Sequence, residues 1–116
     1  MVGSGPEFVH FLEAIRSGGS PILSRTSTTL MMGNQIPDVS LGDWPGSGFG
    51  YGGMVIEDPA AADVANAAGT WWWGGVYGHR WFIDPAAELT VALLTNTAFE
   101  GLAGQLPEDV LLAVYS

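Results

Sequence analysis

The 116-residue chain contains no lysine and no cysteine, and its only strongly basic side chains are Arg16, Arg25 and Arg80. Against 12 acidic residues this gives a formal charge of −9. Three dispersed arginines cannot build the phosphate-neutralising groove that nucleic-acid affinity requires, and an anionic membrane surface is repelled by the same charge. No apolar run approaches the roughly 18 to 20 residues of a membrane-crossing helix, so neither nucleic acid nor membrane is expected as a partner. The missing lysine excludes a P-loop lysine, a Schiff base and any Ser-x-x-Lys pair within the chain. The missing cysteine excludes disulfides, thiolate catalysis and cysteine-based zinc sites, and leaves the compartment open. Met1-Val2-Gly3-Ser4-Gly5 has neither a basic nor an apolar leader segment. No secretory signal is expected from it, and a cytoplasmic location follows if Met1 is the natural start.

What is present is apolar. Hydrophobic residues make up 47% and charged residues 13%, a balance that packs a core rather than staying disordered. The length holds one domain or part of one. Ser4-Gly5-Pro6-Glu7 fits a capping box, and Phe8, Phe11, Leu12 and Ile15 follow on one helical stripe, which predicts a helix over 5–17 stopped by Gly18-Gly19. A second helix is expected over 24–32 from a cap at Ser24. Residues 33–48 read as a surface loop. Four strand-like runs follow, Phe49 to Glu57, Gly69 to Gly74, Gly78 to Asp84 and Leu89 to Asn96, the last three joined by turns short enough for an antiparallel meander. Pro107, Glu108 and Asp109 suit the start of a final helix over 106–115. The fold class expected is α+β: an antiparallel sheet of a three-strand meander plus one further strand, with helices on one face. The tryptophans at 71, 72, 73 and 81 are then too much aromatic surface for the other face, and a further partner is expected to cover them.

Few residues suggest chemistry individually. His79-Arg80 and Asp84 lie five apart on one strand and point to opposite faces, so they read as an exposed polar strand edge rather than a base with its orienter. His10 falls on the polar side of the first helix. Two distant histidines and scattered carboxylates make no metal site, and neither metal nor cofactor is expected. Glu57-Asp58 and Glu108-Asp109 suit a turn and a helix start. Gly48-Phe49-Gly50-Tyr51-Gly52-Gly53 lacks the spacing of a phosphate loop and fits a strand that another backbone approaches closely. Trp71-Trp72-Trp73 can be a sugar-stacking platform or a strand buried on both faces.

The stretch Gly69 to Pro85, with Trp73-Gly74-Gly75 at its centre, and the following Leu89 to Thr95, resembles the third motif of the serine β-lactamase, penicillin-binding protein and family VIII esterase superfamily. In its esterase-like branch Trp-Gly-Gly stands where β-lactamases have Lys-Thr-Gly. The first helix, Gly18-Gly19, Ile22-Leu23-Ser24 and the second helix resemble the run that precedes this motif. Gly48 to Gly52 resembles the family's glycine-rich strand. The resemblance covers nearly the whole chain but only the C-terminal part of the family's catalytic domain, because Ser-x-x-Lys and Tyr-x-Asn are absent. It implies Trp73, Gly74 and Gly75 as a wall of the acyl-binding cleft and the Val76 backbone N–H as one of two oxyanion donors. Intact relatives cleave esters or amides through a seryl acyl-enzyme. This chain is therefore expected to be inactive alone, its partner being the missing N-terminal part. The alternative is a noncatalytic module that self-associates, or binds a partner, through a tryptophan-rich sheet.

Overall fold

Helix α1 (Gly5–Arg16) begins where the capping box places it: the Ser4 hydroxyl accepts from the Glu7 N–H, and the Glu7 carboxylate accepts from the Ser4 N–H at 3.1 Å. The computed structural model describes residues 3–116, so the reading of Met1 and Val2 as free of a leader lies outside the described residues. Leu12 and Ile15 are fully buried, whereas Phe11 sits at the margin of the stripe and is 40% exposed. Glu13 reaches beyond its own helix, accepting from Arg16 Nε at 2.9 Å and from the Thr90 hydroxyl at 2.7 Å. Hydrogen bonds from Arg16 and then Thr90 pull its carboxyl down to about 2. Gly18 and Gly19 take φ of 106° and 95°, a region open to glycine. Helix α2 (Arg25–Met32) is capped by the Ser24 hydroxyl. Thr28 and Thr29 donate back to the carbonyls of Ser24 and Arg25, which gives both hydroxyls a partner within the helix.

The run from Phe49 to Glu57 is not one strand. It splits into β1 (Ser47–Phe49) and β2 (Met54–Ile56), antiparallel neighbours joined by a tight turn in which the Gly50 N–H donates to the Gly53 carbonyl at 2.8 Å. Gly52 there has φ of 85°, so its glycine-rich composition marks a reversal and not a continuous strand. The loop before β1 accordingly ends at Gly46. Two short helices also escaped sequence reading: α3 (Pro59–Ala62), capped by Asp58, and α4 (Glu100–Ala103). Between and around them lie β3 (Trp71–Gly75), β4 (His79–Asp84), β5 (Leu89–Leu94) and α5 (Gln105–Tyr115). The sheet has five strands in the order β1-β2-β3-β4-β5, all antiparallel. The α+β class and the three-strand meander stand.

Helices lie on both faces of this sheet, not on one. Leu12, Ile15, Val55, Trp71 and Ile83 form one core layer under α1 and α2. Met54, Ile56, Trp72, Phe82 and Leu111 form the other, under α5 and the α3 region. The alternation of side chains along β3 sends Trp71 and Trp72 into opposite layers, and both are buried by the chain itself, at 4% and 7% exposure. The chain itself supplies the cover for these two, while Trp73 stays 42% exposed.

Asp84 corrects a second expectation. Far from an exposed strand edge, it is fully buried at the end of β4. Its carboxylate accepts from the Ala67 and Ala87 N–H groups, each at 3.0 Å, and from the Tyr115 hydroxyl. Asn66 Nδ2 donates to the same Tyr115 oxygen at 3.1 Å. Burial alone would raise the pKa of Asp84, but Tyr115 and the N–H groups of Ala67, Ala87 and Ala86 outweigh it and hold the carboxyl below its ordinary value. Burial, and then the same Asp84 contact, pushes the Tyr115 hydroxyl up. One carboxylate thus joins the sheet, the loop before β3 and the C-terminal helix.

Candidate functional site at the open end of strand three

Strand β2 covers only the first part of β3. Met54 pairs with Trp72 and Val55 with Trp71, and the pairing stops there. On this side the Ile56 N–H donates to the Thr70 carbonyl at 2.9 Å. Backbone groups in a strand alternate sides with period two, so those of Thr70, Trp72 and Gly74 aim the same way. For Gly74 no strand among the described residues is there to receive them.

The four residues the sequence singled out, Trp73, Gly74, Gly75 and Val76, occupy this open end. Trp73 is 42% exposed and meets Phe49 edge-to-face with ring centroids 5.1 Å apart. The two glycines differ in what they permit. A β-carbon on Gly74 would drive into Leu102 and the His79 carbonyl, whereas one on Gly75 would meet nothing within 4 Å. Gly74 is therefore needed for packing, and Gly75 leaves open space beside the strand. Val76 follows at the start of the turn to β4. Its carbonyl accepts from the Phe99 N–H at 2.7 Å, while its own N–H donates to no protein group among the described residues.

Sequence reasoning missed the segment 95–101, which grips this turn. The Thr95 N–H and hydroxyl both donate to the Gly78 carbonyl, at 3.0 and 2.7 Å. Gly101 lies so near that a β-carbon on it would come within 2.6 Å of the Gly78 carbonyl oxygen. Phe99 sits at φ of 64° with its side chain 71% exposed. The only signal available in sequence was Thr95-Asn96-Thr97 directly after a strand, which marks a turn without saying what it touches.

On the face of Trp72, a cleft of about 490 Å³ lies between α3, β3 and α5. Arg80 crosses it, its guanidinium 4.6 Å from the Trp72 ring centroid and 2.9 Å from Glu108 Oε1. Stacking and charge pairing fix Arg80 as a part of the wall. His79 and His10 are exposed. Among the described residues no group of three or more His, Cys, Asp or Glu side chains is arranged to hold a metal, and no helix is long and apolar enough to cross a membrane.

The Beta-lactamase family model matches residues 2–115. Esterase EstB of Burkholderia gladioli is 45% identical over 116 residues, which is 100% of this chain and 29% of the esterase. The structure of EstCE1, described as a hydrolase with promiscuous acyltransferase activity, superposes with a TM-score of 0.91 at 41% identity, covering 98% of this chain and 30% of that one. The unliganded simvastatin synthase LovD of Aspergillus terreus shares the fold, with a TM-score of 0.76 at 19% identity over 97% of this chain and 34% of its own. The chain thus spans about 30% of the length of these esterase relatives. With its family model matched from residue 2 to 115 and its fold reproduced in esterase structures, the chain belongs to the beta-lactamase family, in company with that family's esterases.

Proposed function

We propose that this chain forms the oxyanion side of an ester-cleaving or amide-cleaving serine hydrolase, with Val76 donating its backbone N–H to the substrate carbonyl oxygen and Trp73, Gly74 and Gly75 walling the acyl group. The observation that carries this reading is the Val76 N–H, unbonded to protein beside the uncovered end of β3. When a nucleophile adds to an ester carbonyl, the oxygen gains negative charge, and a fixed N–H stabilises it without reorganisation. The open space at Gly75 lets the substrate approach the strand. The same wall serves whether water or an alcohol later accepts the acyl group, because an oxyanion forms in both steps. The serine, its lysine base, the tyrosine and the second oxyanion donor belong to the remainder of a longer chain, since this one has no lysine.

The reading predicts two outcomes. The isolated chain turns over neither p-nitrophenyl esters nor nitrocefin and gains no mass with a fluorophosphonate; a stoichiometric adduct on any serine would overturn it. A hybrid in which these 116 residues replace the segment they match in Esterase EstB hydrolyses p-nitrophenyl esters. A hybrid that folds, as judged by circular dichroism, but is inactive refutes the proposal.

A second reading rests on a different observation: β5 has no strand beyond it among the described residues, and Leu94 at its end is 51% exposed. An unpaired apolar edge is a template for strand addition, so the isolated chain is expected to self-associate through β5. Light scattering behind a sizing column checks this. A dimer that Leu94→Lys, at the exposed end of that strand, converts to monomer supports the reading, and a wild-type monomer excludes it.

A further inference from the structure

We propose that Thr95 is a positioning residue that fixes the orientation of the Val76 peptide, the segment 95–101 acting as a clamp on the β3–β4 turn; this rests on the reading of Val76 as an oxyanion donor. The turn is only Val76-Tyr77-Gly78, and Val76 and Tyr77 are exposed. A three-residue turn with two exposed residues has little packing of its own to hold a peptide plane. The restraint comes from the other side. Gly78 is buried at φ of 107°, its N–H bonded to the Gly75 carbonyl at 3.0 Å and its carbonyl to the Thr95 N–H and hydroxyl. The Thr95 hydroxyl also contacts the Thr97 hydroxyl at 2.8 Å and accepts from the Thr97 N–H at 3.3 Å. Thr95 therefore ties the far end of the turn to the loop that follows β5.

The near end is tied by the same loop. Phe99 donates its N–H to the Val76 carbonyl, and it does so from a positive-φ backbone (φ 64°, ψ −47°) that costs a non-glycine residue of order 1–3 kcal/mol unless its surroundings impose it. Its side chain, 71% exposed, cannot be the reason for that conformation. The imposed geometry is explained by what the backbone reaches: Gly101 lies so close to the turn that a β-carbon on it would come within 2.6 Å of the Gly78 carbonyl oxygen, and its N–H bonds the Thr97 carbonyl at 3.2 Å. Held at its carbonyl and braced through Gly78, the Val76 residue keeps its turn geometry while its N–H stays open.

Oxyanion stabilisation depends on a donor that is already oriented. Removing such a donor typically costs about 10²–10³ in kcat, and loosening one costs less. In Thr95→Val the hydroxyl that donates to Gly78 is lost with little change of shape, while Thr95→Ser keeps it. The first arm uses the ¹⁵N-labelled 116-residue chain. Rigid backbone amides have order parameters of about 0.85 and flexible ones below about 0.6; Thr95→Val is expected to move Val76 from the first range toward the second, leave the amide of Ile83 unchanged, and be reversed in Thr95→Ser. The second arm uses the hybrid with Esterase EstB. There Thr95→Val is expected to lower kcat about tenfold with KM within about twofold, again rescued by serine.

A merely structural role would lower stability across the chain without this split between kcat and KM. Should Thr95→Val not fold, Thr97→Ala, which removes the partner of the same hydroxyl from an exposed position, is expected to show the same changes at reduced size. Unchanged Val76 order and unchanged kcat in the folded variants overturn the proposal. If the unmodified hybrid is inactive while the Val76 amide still loosens, the clamp stands and the oxyanion reading fails.

Discussion

Replacing Asp84 with alanine is expected to destabilise the chain by about 3–5 kcal/mol, enough to unfold much of it at ambient temperature. A domain of this size has only about 5–15 kcal/mol in total. The change strands the Tyr115 hydroxyl and the N–H groups of Ala67 and Ala87, which the carboxylate now satisfies, and each buried unpaired group costs about 1–3 kcal/mol. Some of these groups will find water, which keeps the total below the sum. Asp84→Asn retains an acceptor oxygen and should cost about half as much. Urea denaturation followed by fluorescence measures both, and a loss below about 1 kcal/mol for alanine would be the wrong outcome. The carboxyl also makes stability depend on pH. Its folded value lies below the unfolded one, so its contribution is complete above the unfolded value of about 3.9 and drains away as pH falls through the folded value. Asp84→Asn should flatten the acid limb of the stability curve and leave the neutral limb unchanged in shape.

Trp72→Ala is the second large loss, expected at about 3–5 kcal/mol from the volume removed and the cavity left behind. Trp72 is 93% buried on the relative scale in which 7% remains exposed. It packs in the core layer under α5 beside Trp44, whose ring centroid is 5.6 Å away, and carries the Arg80 guanidinium on its face. Deleting it opens the 490 Å³ cleft further and leaves Arg80 held only by Glu108. Phenylalanine is the informative control. The indole Nε1 has no hydrogen-bond partner among the described residues, so Trp72→Phe removes volume but breaks no polar contact, and should cost about half the alanine value or less. Near-equal losses for alanine and phenylalanine in urea titrations would mean that packing at this position has been misread.

These two residues also mark how far sequence alone carries. Alternation along β3 left Trp72 either on a sugar-stacking platform or in a strand buried on both faces, and the structure shows the second; the capping box at Ser4, the cap at Ser24, the meander and the last helix followed from local chemistry. Asp84 did not follow. An aspartate before a proline at a strand end is ordinary turn chemistry, and its partners Ala67 and Tyr115 lie 17 and 31 residues away. The split of the run from 49 to 57 was hidden because a glycine-rich strand and a glycine-rich turn have the same composition; only the φ of Gly52 separates them. Trp73, Gly74, Gly75 and Val76 were legible as a group through family resemblance. What distinguishes Gly74 from Gly75 was not, since it depends on Leu102 and the His79 carbonyl, both supplied by other parts of the fold.

The turn at Gly50 to Gly53 has a consequence for the width of the proposed cleft. It reverses the chain just as β2 reaches Trp72, and a strand begun two residues earlier would pair with Gly74 instead of leaving it bare. Hairpin position thus works as a gauge: sliding the reversal along the sequence lengthens or shortens the docking rail that a substrate would find on β3. A two-residue extension of that hairpin would shut the rail with ordinary strand pairing, without altering a single side chain of Trp73-Gly74-Gly75-Val76.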